Sequence, residues 1–283
     1  MGYTFAGDRI LMEPYKLNNY LIRDPEDKRD YLFDSTLMES VSPISIDHTN
    51  LMSPVKDQGS LGSCVAFAMC AMKEWQENKE HAEEVAAGKK DHRGGKKQDL
   101  SEQWIYYNCK KIDDWPGVQG TSIRYGMKVL QKIGVPCEDG WKYNDMVVGE
   151  PEHWAKMVSR WNKIGTYKRI TNVDELTAAL VNGPVPIGIP VFREFFMVGG
   201  GGFVADPANP NECYGGHAIC AVGYSKAGRR IKFKNSWGRG WGRSGYGYLS
   251  FDYINNYLWD AWTCEDISVS NDMLSGPYED LTR

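Results

Sequence analysis

The sequence places a cysteine at the point where a glycine- and serine-rich turn becomes an apolar helical pattern. The turn is supplied by residues 58–63, and the helix is indicated by apolar residues at helical spacing after Cys64, namely Val65, Ala68, Met69 and Met72. A helix N-terminus has free N–H groups and the positive end of the helix dipole, and both lower the pKa of a thiol placed there. The sequence therefore predicts a nucleophilic thiolate at Cys64.

A side-chain amide lies close to this cysteine along the chain. Gln58 precedes Cys64 by six residues. Its N–H group and the backbone N–H of Cys64 are the two kinds of donor that stabilise an oxyanion during acyl transfer. One turn therefore supplies a candidate nucleophile together with a candidate oxyanion hole.

Two later segments supply the other groups that cysteine hydrolysis needs, an acid–base and a residue that orients it. His217 lies in a glycine-flanked apolar run, Gly-Gly-His-Ala-Ile-Cys-Ala-Val-Gly, over residues 215–223. Asn235 lies in Lys-Asn-Ser-Trp-Gly over residues 234–238, followed by further Trp-Gly and Gly-Tyr pairs. Each of these motifs alone is weak evidence, but their order and complementary chemistry are specific.

The three motifs together resemble the papain-like cysteine peptidases. The active-site turn of that family reads Q-G-x-C-G-S-C-W-A-F, where this chain has Q-G-S-L-G-S-C-V-A-F. The resemblance implies an α+β, papain-like fold of two lobes: a mainly helical lobe with the nucleophile helix, and a β-barrel-like lobe carrying the histidine and asparagine. It implies that Cys64 is the nucleophile, His217 the acid–base, Asn235 its orienting partner and Gln58 an oxyanion donor, and that Trp237 shields the histidine–asparagine bond.

The same resemblance implies where an extended peptide would bind. It assigns substrate-binding roles to five residues, which are Gly120, Gly188, Ile189, Gly216 and Trp237. Gly120 would offer backbone hydrogen bonds in the manner of a strand. Gly188 and Ile189 would form an apolar pocket for the second residue before the scissile bond (S2). The alternative, that the strand over residues 185–191 is core without substrate contact, stays open.

The cysteines depart from the family pattern. Leu61 stands where the family has a cysteine, so Cys109 lacks its family partner; pairing of Cys213 with Cys264 is left open. The seven cysteines, an odd number, and the absence of an Asn-x-Ser/Thr acceptor favour a reduced, cytoplasmic protein. Neither a metal site nor an organic cofactor is expected.

The chain divides into three expected regions. Residues 1–42 form an N-terminal extension, either a short pro-segment or lid across the cleft or a packed strap without a regulatory role. Residues 43–267 form the catalytic domain, with a helical lobe over about 50–158 and a β lobe over about 159–267. Residues 268–283 form a C-terminal tail. Within the helical lobe, a helix from Cys64 to about Glu77 is followed by a charged, solvated loop over residues 78–99.

Charge and hydropathy limit the partners. The formal net charge is −4, which removes the basic face that nucleic-acid binding needs, and no apolar run reaches the length of a membrane span. The expected partner is a polypeptide substrate, while the oligomeric state stays open.

The sequence predicts a cysteine peptidase, most simply an endopeptidase. The alternatives are an exopeptidase or amidase with a partly blocked cleft, and a catalytically silent peptide-binding homologue.

Overall fold

The computed structural model describes residues 20–35, 43–146, 149–151 and 153–267. The predictions for the first 19 residues, for residues 36–42 and for the tail 268–283 lie outside the described residues. Among the described residues, no helix combines the length and the apolar character that a bilayer crossing requires.

Seven α-helices are described. They are α1 (Cys64–Ala86), α2 (Glu102–Ile112), α3 (Ile123–Lys132), α4 (His153–Val158), α5 (Val173–Ala179), α6 (Arg193–Phe196) and α7 (Phe251–Tyr257). Three short 3-10 helices lie at Thr49–Leu51, Glu138–Gly140 and Ser159–Trp161. The described strands are β1 (Ser45–Asp47), β2 (Ile164–Arg169), β3 (Val185–Pro190), β4 (Gly216–Ser225), β5 (Arg230–Lys234), β6 (Tyr246–Ser250) and β7 (Asp260–Asp266).

Helix α1 is the central element, and it is longer than the sequence predicted. Its first twelve residues are buried on every side, which suits a helix packed between other elements. It continues to Ala86, so the prediction of a loop is wrong for residues 78–86. Alanine, glutamate and lysine dominate that stretch and are strong helix formers, so a charged composition there gives a solvated helix rather than a loop.

The strands form one antiparallel sheet in the order β2-β7-β3-β4-β5-β6, with β1 also pairing with β4. In the register, Ile189 of β3 is opposite His217 of β4, and Cys220 of β4 is opposite Lys234 of β5. Because β4 and β5 form a hairpin, His217 near the start of β4 lies beside Asn235, which directly follows β5. The sheet topology therefore joins two motifs that are distant in sequence.

Two hydrophobic clusters fill the interior. The first is built mainly from α1, α2 and α3 and contains Cys64, Trp104 and Leu130. The second lies between the sheet and the helices α5 to α7 and contains Phe195 and Phe233. Two packed units, one helical and one built on a sheet, confirm the predicted α+β fold. The catalytic motifs lie where the two units meet.

All seven cysteines are free thiols. The pairing of Cys213 with Cys264, which the sequence left open, is therefore absent. The Cys264 sulfur lies 3.6 Å from the Met72 sulfur and 3.5 Å from the Gln76 side-chain nitrogen. Cys264 thus packs against α1 instead of bridging strands.

Candidate active site

The thiol of Cys64 lies at the first residue of α1, as the turn-to-helix pattern predicts, and it is fully buried. Burial raises its pKa to about 12, because a thiolate without water is poorly solvated. Backbone hydrogen bonds from Ala218, Val65 and Cys64 itself act in the opposite direction and favour the thiolate. Ala218 is the residue after His217, so the sulfur lies against the histidine strand.

The imidazole of His217 is held by Asn235. Its Nε2 lies 2.8 Å from the Asn235 side-chain oxygen, which also accepts the backbone N–H of Ser236 at 2.9 Å. An oxygen at that position makes Nε2 the protonated nitrogen of the neutral ring and leaves Nδ1 as the acceptor. Nδ1 is buried and has no hydrogen-bond partner among the described residues. Burial lowers the pKa of His217 to about 4, and the bond to Asn235 raises it by less.

Aromatic rings enclose this pair. The ring centroids of Trp237 and His217 are 4.8 Å apart at an interplanar angle of 31°, and those of Phe195 and His217 are 5.8 Å apart in an edge-to-face arrangement. Phe195 in turn stacks on Trp241 at 4.9 Å. Such an apolar shell excludes water and strengthens the histidine–asparagine bond. Trp237 was predicted from the sequence, whereas Phe195 was not, because nothing in the short segment Arg-Glu-Phe-Phe distinguishes it from a core residue.

Gln58 is tied to the asparagine segment. Its side-chain oxygen accepts the Ser236 hydroxyl at 2.7 Å, and its backbone N–H donates to the Ser236 carbonyl at 2.9 Å. The side-chain nitrogen donates to the Leu61 carbonyl at 3.0 Å, within the same turn. Since the oxygen is engaged by Ser236, the amide nitrogen is directed into the turn that carries Cys64. Ser236 had no assigned role in the sequence.

The N-terminal segment lies in the cleft. We call residues 20–35 the strap. The amide of Leu21 donates to the Gly216 carbonyl at 3.1 Å, that of Ile22 to the Thr121 carbonyl at 3.0 Å, and Thr121 donates to the Tyr20 carbonyl at 3.3 Å. The strap backbone is therefore hydrogen-bonded on one side to the helical unit and on the other to the histidine strand.

The Leu21 side chain fills a space that two glycines leave open. A Cβ atom at Gly188 would lie 2.5 Å from Leu21 Cδ2, and one at Gly216 would lie 2.4 Å from the Leu21 carbonyl oxygen. Neither distance is compatible with a side chain at these positions. Leu21 is only 2% exposed, so the pocket encloses it.

Comparison with known proteins identifies the family. The family model described as papain family cysteine protease matches residues 42–259, most of the chain. The chain belongs to this family. It is a cysteine-type peptidase.

Relatives and solved structures agree with this assignment. The peptidase is 31% identical over 231 residues to a peptidase C1-like protein of Acanthamoeba polyphaga mimivirus, covering 75% of this chain and 70% of the viral protein. It is 29% identical over 220 residues to cysteine proteinase 3 of Entamoeba histolytica, covering 76% of this chain and 65% of that relative. The crystal structure of xylellain, a cysteine protease from Xylella fastidiosa, superposes with a TM-score of 0.75 at 27% identity, covering 93% of this chain and all of that one.

Two of the predicted substrate-binding residues of the peptidase make contacts within the protein. The backbone N–H of Gly120 donates to the Tyr106 hydroxyl at 3.4 Å, and its carbonyl accepts from Lys110 at 3.1 Å. Its neighbour Thr121 is the residue that pairs with the strap. Ile189 belongs to the core under the sheet. Since adjacent strand residues face opposite ways, Ile189 is directed away from the pocket that Gly188 faces.

A buried ionic cluster anchors the strap and was not predicted. Asp30 accepts from Arg124 at 2.7 Å and from Arg169 at 3.2 Å. Arg169 also donates to Asp260 at 2.9 Å, and Asp260 accepts the Asp24 amide at 3.0 Å. Burial raises the pKa of Asp260 to about 7, with the charge of Asp24 acting in the same direction. These residues are spread over 236 positions of sequence, so no local pattern connects them.

Proposed function

We propose that the peptidase is an endopeptidase that cleaves polypeptides bound in an extended conformation, using Cys64 and His217. The observation that carries this is the strap itself. Residues 20–22 lie extended between the backbone groups of Thr121 and Gly216, which are the donors and acceptors that strand-like peptide recognition uses. A substrate of the same shape would find the same groups once the strap has left.

The proposed reaction begins when Cys64 transfers its proton to Nδ1 of His217. The thiolate attacks the scissile carbonyl carbon, and the carbonyl oxygen gains the negative charge next to the Gln58 amide and the Cys64 backbone N–H. As the tetrahedral intermediate collapses, the imidazolium gives its proton to the leaving amine and the acyl group stays on sulfur. His217 then takes a proton from water, whose oxygen attacks the thioester and releases the acid and the thiol.

Asn235 has a positioning role in this proposal. Its oxygen holds the Nε2 proton of His217, which leaves Nδ1 available for the thiol proton. The Trp237 ring, 4.8 Å from the imidazole, shields the bond that sets this tautomer. The pair is thereby prepared before any substrate binds.

The pocket occupied by Leu21 is the proposed specificity pocket. Gly188 and Gly216 provide its space, and Ile123 lies at its edge, where a Cβ on Gly188 would lie 3.5 Å from Ile123 Cδ1. An aliphatic, branched side chain fits this apolar space. We therefore propose a preference for such a residue at the second position before the scissile bond.

The full chain is proposed to be latent. Both Cys64 and His217 are fully buried while the strap is in place, and their shifted pKa values keep both groups neutral. Of the two readings of the N-terminal extension, a segment that blocks the cleft is the one that these contacts favour.

Hydrolysis of an internally quenched peptide, capped at both ends and with leucine in the proposed pocket, tests the proposal. The full-length protein would be compared with its Leu21→Asp variant, which places a carboxylate in the apolar pocket, and with Leu21→Asp plus Cys64→Ala. Cleavage by the first variant and none by the second supports an endopeptidase. Trimming of the uncapped peptide alone would indicate an exopeptidase, and binding without turnover a silent homologue.

A further inference from the structure

The serine before the nucleophile does not cap its helix. Ser101, Asn172 and Ser250 each precede a helix, have extended backbones, and accept a hydrogen bond from the amide three residues on. Ser63 precedes α1 with φ −103° and ψ 13°, and its side chain makes no capping hydrogen bond. Ser122 before α3 also makes no capping bond but keeps an extended backbone, so among the serines that precede described α-helices Ser63 alone departs in both respects. Serine is among the best N-cap residues, so this departure requires a physical cause.

The cause is a tyrosine hydroxyl. Tyr143 donates to the Gln58 carbonyl at 2.8 Å, and its oxygen lies 2.6 Å from the Ser63 hydroxyl. A phenol has one proton, and a carbonyl can only accept, so that proton belongs to Gln58. The Ser63 hydroxyl therefore donates to the Tyr143 oxygen at 2.6 Å rather than to the Leu61 carbonyl, which is 3.4 Å away, and in this position its oxygen accepts no helix amide.

Tyr143 is itself held in place. Its backbone N–H donates to Glu138 at 2.8 Å, and its ring meets Phe67 edge to face at 4.8 Å. Two residues later, Asp145 accepts the Ser60 amide at 3.1 Å. The same loop thus contacts the active-site turn at its middle and at both ends.

We propose that Tyr143 is a positioning residue for the thiolate: by binding Ser63 and Gln58 together, it keeps the first-turn amides of α1 uncapped and directed to the Cys64 sulfur. The proposal deepens the function proposed above and rests on Cys64 being the nucleophile. It assigns to the tyrosine no contact with substrate or with the reacting atoms.

The amides at stake are those that favour the charged sulfur. The backbone N–H groups of Cys64 and Val65 both lower the pKa of the thiol. A capping hydroxyl would take an amide of the same helical turn and place a partial negative charge near the sulfur, which weakens the effect of the helix N-terminus. The titratable groups on which the charge of Cys64 acts are Tyr20 and Tyr106, and neither is altered in the experiment below.

The test is the pH dependence of Cys64 alkylation by iodoacetamide in the full-length protein, followed by mass mapping of the modified peptide. Four proteins are compared: the parent, Tyr143→Phe, Ser63→Ala, and the double variant. Neither residue hydrogen-bonds to the strap among the described contacts. Opening of the strap therefore changes the alkylation rates of all four proteins by the same factor. Differences in the pH midpoint of alkylation then report the pKa of the Cys64 thiol.

We expect Tyr143→Phe, which keeps the ring, to raise the midpoint by about half a unit to one unit, the size of a helix N-terminus effect. The rate at neutral pH then falls roughly three- to tenfold. Removing the Ser63 hydroxyl in the double variant should return the midpoint to that of Ser63→Ala. This rescue is specific, because a tyrosine that only supported the fold would give a double variant at least as impaired as Tyr143→Phe.

An unchanged midpoint in Tyr143→Phe, or a double variant as shifted as Tyr143→Phe, would overturn the proposal. Failure of the proposed endopeptidase function has a different signature, since alkylation needs no turnover. In that case the capped peptide stays intact while the midpoints still move as expected.

Discussion

The amide of Leu21 donates to the carbonyl of Gly216, the residue immediately before His217, at 3.1 Å. This bond attaches the strap to the strand that carries the acid–base. It explains why Cys64 and His217 are fully buried although both must meet a substrate. The high pKa of the thiol and the low pKa of the imidazole therefore describe the closed cleft, and departure of the strap should bring both groups back toward their ordinary values.

Replacing Leu21 by aspartate should open the site. An ionised carboxylate in the pocket formed by Gly188 and Gly216 is strongly disfavoured there, so the strap should be displaced. We expect a peptidyl epoxide to label Cys64 at least about tenfold faster in Leu21→Asp than in the parent, given a cost of 1.4 kcal/mol or more. Leu32→Asp is the matched control, because Leu32 is in the strap but 64% exposed. Equal labelling of all three proteins would show that the strap does not limit access.

Asn235→Ala should impair the chemical step rather than binding. The variant loses the buried hydrogen bond that fixes the His217 ring. This bond contributes on the order of 1.5–3 kcal/mol once the ring is charged. In the Leu21→Asp background, kcat for the capped peptide should fall about ten- to hundredfold with little change in KM. Asn255→Ala, at an exposed position of α7, serves as control. A rise in KM with kcat preserved would assign Asn235 to substrate binding instead.

Acid should destabilise the full chain through His217. Burial holds its pKa at about 4, whereas the unfolded imidazole titrates near 6.5, so the unfolded state binds the extra proton between these values. The contribution of the neutral ring to stability is complete above pH 6.5 and is lost as the pH falls to 4. Its size is about 3 kcal/mol. Urea unfolding between pH 7.5 and pH 4.5 should show that the free energy of unfolding falls less in His217→Gln than in the parent. Parallel plots of that free energy against pH for the two proteins would contradict the assignment.

The catalytic groups could be predicted from the sequence because each lies in a short motif whose local structure depends on neighbouring residues. A glycine-rich turn before an apolar helix places Cys64 wherever the rest of the chain goes, and a glycine-flanked strand does the same for His217. The sequence left open whether the N-terminal extension lies across the cleft or packs elsewhere, because the contacts of the strap with Thr121 and Gly216 join segments about 100 and 195 residues apart.

The substrate-binding predictions depend on contacts that the sequence does not show. Gly120 was predicted from the family resemblance to offer strand-like hydrogen bonds, and its φ of +90° is one that glycine adopts readily. Its polar groups are nevertheless used by Tyr106 and Lys110, which leaves Thr121 to face the cleft. The alternation along β3 can be predicted from the sequence, but which of its faces meets the cleft cannot, and Ile189 lies on the core face.

A buried chain of hydrogen bonds connects the segment that carries Asn235 to helix α1. Lys234, the residue before Asn235, donates to the carbonyl and the hydroxyl of Ser53, each at 3.0 Å. The Ser53 hydroxyl donates to Glu74 on α1, the helix that begins at Cys64. Burial lowers the pKa of Lys234, and the charge of Glu74 acts in the opposite direction by less. These hydrogen bonds thus join the asparagine segment to the nucleophile helix.

Lys234→Met should therefore destabilise the chain by about 2 kcal/mol, because it leaves the buried carbonyl of Ser53 without its donor, whereas Glu74 keeps Lys56 at 3.7 Å. Lys232→Met is the matched control on the same strand: its partner Asp47, 2.8 Å away, is half exposed, so its loss should cost no more than about 1 kcal/mol. Urea unfolding measures both. If Lys234→Met costs no more than Lys232→Met, these hydrogen bonds contribute no more than an exposed ion pair, and the alignment of Asn235 with Cys64 must come from the sheet and from Ser236.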